Sequence, residues 1–87
     1  MTDIDPIPAL KRELGAQLAP LVRGWNADDI AYALRTDRSR IAELRREKLD
    51  RFSLETLIRY LTRAGMCVEL RVTTRPRSYR KHSDRAR

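Results

Sequence analysis

Apolar residues recur at Leu10, Leu14, Leu18, Leu21 and Val22, with charged and small residues between them. That one-face spacing predicts an amphipathic helix from Ala9 to about Gly24, a residue type that favours helix ends. Ahead of it, Pro6 and Pro8 restrict φ and lack amide protons, which predicts an extended segment over residues 1–8. Pro20 interrupts the pattern, so a kink or break is expected in the last turn. A second, short helix is expected after Asn26, a good N-cap, with Asp28 and Asp29 at its positive end and Ile30, Ala31 and Leu34 on its inner face. Asp37 caps a third helix, with Ile41 and Leu44 inward and Arg38, Ser39, Arg40 and Glu43 outward. Ser53, with Thr56 in the first turn, caps a fourth helix whose core face is Leu54, Leu57, Ile58 and Leu61, and Gly65 is placed to end it.

After Gly65 the period changes. Met66, Val68, Leu70 and Val72 alternate with Cys67, Glu69, Arg71 and Thr73, which predicts one β-strand over 66–73 that Pro76 stops. A lone strand cannot satisfy its own backbone groups, so pairing with a second copy across a dimer is expected, with Val68, Leu70 and Val72 at the interface. Residues 75–87 have almost no apolar content and read as a basic flexible tail. Trp25 and Phe52 are expected to pack at helix junctions, and Tyr32 and Tyr60 to be partly exposed, with Tyr60 available to line a partner surface.

The chain has 87 residues, enough for one domain, here assigned to 9–74. One cysteine, Cys67, permits no intrachain disulfide and fits a reducing cytoplasm. The acidic, proline-broken start is unlike a signal peptide, and no apolar run is long enough to span a membrane. One histidine and one cysteine give too few soft ligands for a transition-metal site, so no metal and no cofactor are expected. Neither a glycine-rich phosphate loop nor a nucleophile–base set can be drawn, which argues against an enzyme.

Charge is distributed unevenly. Residues 1–34 carry three basic and five acidic groups, residues 35–51 seven and four, and residues 75–87 six and one, within a total of +7. The excess in one internal segment and the tail points to a polyanionic partner, although a solvated charge coat would have the same composition. The spacing sharpens the choice. Two short helices joined by a tight turn, the second of them basic, follow the helix-turn-helix plan. That plan needs a small residue where the helices cross, which is Ala31. It needs flanking apolar residues, Ile30 and Leu34, and two facing back from the second helix, Ile41 and Leu44. The usual turn glycine is replaced by Arg35, which costs about 1 kcal/mol if φ is positive.

The stretch NADDIAYALRTDRSRIAELRREKLDRFSLETLIRYLTRAGMCVELRV resembles the Xre-type, lambda-repressor-like antitoxins of HigA-like toxin–antitoxin modules. Lys48 to Glu55, KLDRFSLE, is the most specific part, and the resemblance spans roughly residues 9–74. It implies a mainly α, four- to five-helix domain followed by one C-terminal strand that pairs across a dimer. It further implies an antitoxin that represses its own operon and neutralises a small ribonuclease toxin. The chain departs from that pattern at Ala27, where a phosphate-holding glutamine is usual, at Arg35 and Glu47 in place of glycines, and at Arg45 in place of an apolar residue.

On a helix-turn-helix reading, Arg38, Ser39, Arg40 and Glu43 face base edges in double-stranded operator DNA, Glu43 either accepting from cytosine or orienting Arg40. Arg35, Arg46, Lys48 and Arg51 serve phosphates, and Arg75, Arg77, Arg80 and Lys81 add tail contacts. A reading from a different class is an interaction adaptor or structural subunit whose basic tail binds RNA or an acidic protein. Preference for one duplex over random DNA separates the two.

Overall fold

A computed structural model gives the fold and describes residues 5–74. The expected tail contacts Arg75, Arg77, Arg80 and Lys81 lie outside the described residues. Four α-helices follow in order: α1, Ile7–Gly24; α2, Ala27–Leu34; α3, Arg38–Arg45; and α4, Leu54–Arg63, with a 3-10 turn, Leu49–Arg51, before α4.

Helix α1 starts two residues before its expected start at Ala9. Pro6 is its N-cap, in helical conformation at φ −76° and ψ −12°. Pro8 falls in the first turn, where an amide proton has no helical acceptor to lose, so residues 6–8 are not extended. Pro20 neither breaks nor ends α1, which runs on to Gly24. Pro20 and Ala16, whose carbonyl loses its helical donor, are both on the exposed side, while Leu18 and Val22 are buried on either side of the proline.

The caps form as the side chains require. Asn26 Oδ1 accepts from Asp28 N–H at 2.7 Å, Asp37 Oδ1 from Arg40 N–H at 2.9 Å, and Ser53 Oγ from Thr56 N–H at 3.0 Å. The opposite ends of α2, α3 and α4 share one device. Arg35, Glu47 and Gly65 stand at φ 59°, 59° and 92°. Each lets the next residue donate back over the last turn: Thr36 N–H to Ala31 C=O at 2.9 Å, Lys48 N–H to Glu43 C=O at 3.0 Å and Met66 N–H to Leu61 C=O at 3.0 Å. Both positions where glycine is usual therefore keep the left-handed geometry with a side chain present.

Leu18 and Val22 of α1 join Ile30, Ala31 and Leu34 of α2, Ile41 and Leu44 of α3, Phe52, and Leu57, Tyr60 and Leu61 of α4 in one core. Gly15 lets the 3-10 turn close on α1, since a Cβ there would stand 2.6 Å from Leu49 Cδ1. Helix α4 is rotated from its expected face: Leu54 and Ile58 are half-buried, and Tyr60 is 4 % exposed. Tyr60 meets Phe52 edge-on at 6.0 Å, and its hydroxyl donates to Thr36 Oγ1 at 3.0 Å. That bond satisfies the polar tip and allows burial, so Tyr60 does not line a partner surface as expected. Trp25 is the reverse case, 54 % exposed rather than packed.

The strand expected over 66–73 does not form in the single chain, where residues 66–74 have no regular secondary structure. A strand exists through its ladder, and among the described residues no other segment offers one. Val68 packs against the core, whereas Leu70 and Val72 are exposed.

The left-handed turn yields a stability test. Arg35→Gly relieves the Cβ conflict at φ 59° and is expected to stabilise the fold by up to about 1 kcal/mol, read from urea or thermal unfolding.

Candidate nucleic-acid interface

Helix α3 is the element on which the expected base-contacting residues sit. Asp37 fixes its first turn, and Ile41 and Leu44 anchor its inner side in the core. Arg38, Ser39, Ile41, Ala42, Arg45 and the C-cap Arg46 of α3 line a shallow depression closed at one edge by Ala27 of α2. Arg38 and Ser39 are exposed there, and Arg46 follows at the end of the helix.

The four expected base-contacting residues fall into two pairs. Arg38 and Ser39 belong to the outer side. Arg40 and Glu43 lie on the flank toward the 3-10 turn and are engaged within the protein. The Arg40 guanidinium lies 4.3 Å over the Phe52 ring, and its Nη1 donates to Glu43 Oε1 at 3.1 Å. Arg51 Nη1 donates to the other oxygen, Glu43 Oε2, at 3.2 Å. Glu43 thus joins α3 to the 3-10 turn, and the alternative in which it orients Arg40 matches the observed contact.

The expected phosphate contacts also differ among themselves. Arg35, Arg46 and Lys48 are exposed and have no ion-pair partner among the described residues. Arg51 is held by Glu43. Val68 is half-buried against the core, apart from the exposed Leu70 and Val72 with which it was expected to share an interface.

Two residues that shape the site were given no role from sequence: Ala42 was not singled out, and Arg45 stood out only as a departure from the usual apolar residue. Ala42 occupies the middle of the outer side, and the four-residue spacing of 38, 42 and 46 is the signal that places it there. Arg45 looks like one more surface cation but turns inward, its Nε donating to Val22 C=O at 2.6 Å and its Nη2 to Trp25 C=O at 2.8 Å. It thereby satisfies carbonyls at the end of α1 and ties α1 to α3.

The electrostatics are mixed. Asp28 and Asp29 occupy the first turn of α2, and Asp28 Oδ1 lies 3.3 Å from Arg38 Nε. The position where a phosphate would meet the start of α2 is therefore anionic, and the cations surround it on α3 and in the turns.

A family model described as a helix-turn-helix domain matches residues 8–73, from the first turn of α1 to the end of the apolar alternation after Gly65. No curated protein matches the chain.

The division of the arginines gives a prediction on stability alone. Arg40→Ala removes a ring contact and one arm of the Glu43 bridge, and is expected to lower stability by about 1 kcal/mol. Arg38→Ala is expected to change it by less than about 0.5 kcal/mol. Urea unfolding of both variants checks the contrast, and equal effects would contradict the assignment.

Proposed function

The chain belongs to a helix-turn-helix domain family, and from that premise we propose that it is a sequence-specific transcriptional repressor that lays α3 in the major groove. The observation that carries the reading is the outer side of α3. Arg38, Ser39 and Arg46 are exposed beside the half-buried Ala42, while the opposite side of the same helix is locked in the core. Arg38 supplies a guanidinium fork for guanine, Ser39 a hydroxyl that suits either polarity, and Ala42 a methyl for contact with thymine. Arg35, Arg46 and Lys48 flank the helix and serve phosphates, which supply affinity without reading sequence. Arg40, Glu43 and Arg51 hold α3 against the rest of the domain. The tail, 75–87, adds charge for the DNA backbone.

The apolar alternation after Gly65 supports a dimer. Leu70 and Val72 are 78 % and 84 % exposed, and pairing residues 66–73 with a second copy would cover them and supply the missing ladder. Two-fold symmetry then sets two α3 helices about 34 Å apart on a palindromic operator. The resemblance over residues 9–74 supports the further reading as an antitoxin that binds a ribonuclease toxin and represses their shared operon.

Selection of duplexes from a random library tests the DNA reading. One sequence is expected to be enriched, and Arg38→Ala to weaken its binding by about 1–3 kcal/mol. Lys48→Ala is expected to weaken the selected and a shuffled duplex alike and to lower the salt slope by about one. Failure of any sequence to be enriched would overturn the reading.

Light scattering tests the pairing. The wild type is expected to be dimeric at micromolar concentration, and Leu70→Pro to be monomeric or unfolded, since it removes a ladder donor and apolar area together. A monomeric wild type would remove the basis for the palindrome.

A further inference from the structure

The geometry points to Asp28 as the positioning residue that makes Arg38 a reader of guanine rather than a general phosphate contact. The inference rests on the proposed presentation of α3 to DNA and concerns how that surface discriminates.

Asp28 is held where it can do this. Its N–H is bound by Asn26 Oδ1 at 2.7 Å, which fixes the backbone at the start of α2. Its Oδ1 lies 3.3 Å from Arg38 Nε, an ion pair between α2 and α3. A guanidinium carries its donors on separate edges. The carboxylate meets the guanidinium at its Nε corner as an ion pair without a hydrogen bond, which leaves the outer Nη1–Nη2 edge open, and that edge forms the two parallel bonds to guanine O6 and N7. The side chains of Arg38 and Asp28 are 73 % and 68 % exposed, so the pair adds little to stability. Its effect is on orientation: an arginine already turned outward loses less side-chain freedom when it meets a base.

Asp28 has a second effect of the same sign. The N-terminus of a helix attracts phosphate, and at α2 that position carries Asp28 and Asp29 instead of a neutral residue. The two carboxylates repel a DNA backbone that approaches without register. A phosphate competing for Arg38 must approach these charges, whereas guanine offers neutral acceptors. Asp28 therefore lowers binding to arbitrary sequence more than binding to a site with a guanine opposite Arg38.

The test uses the full-length protein, the duplex selected by the wild type from a random library, and a shuffled duplex of the same composition. Each guanine of the selected half-site is replaced in turn by 7-deazaguanine, which lacks the N7 acceptor. For the wild type, one replacement is expected to reduce affinity at least about fivefold, and Arg38→Ala to abolish that sensitivity. Asp28→Asn is expected to bind the shuffled duplex more tightly. It is also expected to lose at least about fivefold in the ratio of selected to shuffled affinity and to respond weakly to the same 7-deazaguanine, while still unfolding cooperatively within a few degrees of the wild type.

If Asp28→Asn keeps the wild-type ratio and the wild-type 7-deazaguanine response while Arg38→Ala loses both, Asp28 does not position Arg38 and the reading of α3 stands. If no duplex is enriched, or Arg38→Ala binds the selected duplex as the wild type does, the reading of α3 itself is wrong and the role of Asp28 falls with it.

Discussion

The presentation of α3 depends on the left-handed turn at Arg35. The chain must leave α2, reverse and enter α3 within the three residues Arg35, Thr36 and Asp37. Only a positive φ lets Thr36 N–H reach back to Ala31 C=O while Asp37 remains extended and able to cap the next helix. The carbonyl of Leu34, at the end of α2, accepts from Arg63 Nη1 at 3.0 Å, so α4 secures the same junction from behind. Thr36 is fixed a second time by the Tyr60 hydroxyl. With the turn held from two sides, the small Ala31 and the pair Ile41 and Leu44 can bury together, and the outer side of α3 is left to solvent.

Arginine does more inside this small domain than a charge count conveys. Arg45 and Arg63 both donate to carbonyls at the ends of helices to which they do not belong, α1 and α2. Arg40 covers the Phe52 ring and shares Glu43 with Arg51. A planar, permanently charged group with several donors suits these tasks, because it can satisfy oxygens in different directions while its stem and face lie on apolar surface. A core of eleven buried residues among those described is modest, and such ties between short helices supplement it. The cations on α3 and in its flanking turns that are exposed without such an internal task are Arg35, Arg38, Arg46 and Lys48.

The order of the four helices, the three side-chain N-caps and most of the core were legible in the sequence because they rest on short-range chemistry, whereas the strand read over 66–73 depends on a partner ladder and does not form in the single chain. Asn26, Asp37 and Ser53 each bond an amide two or three residues ahead, and Ile30, Ala31, Leu34, Ile41 and Leu44 fall inward by helical periodicity. The positive φ at Arg35 could be weighed from the tight turn there, whereas Glu47 stood out only as a departure from a usual glycine, and its positive φ came from the structure. What sequence alone could not decide was the destination of side chains whose partners lie far along the chain. Tyr60 is buried because Thr36, 24 residues away, accepts its hydroxyl. Arg45 turns inward because the end of α1, 20 and 23 residues away, offers free carbonyls. Arg38 and Arg40 are two residues apart with the same side chain, yet one reaches Asp28 on α2 and the other lies over Phe52. Periodicity assigns a direction on a helix, but a long, flexible guanidinium settles on whichever oxygen or ring the packing of other helices brings within reach, and only the tertiary structure sets that.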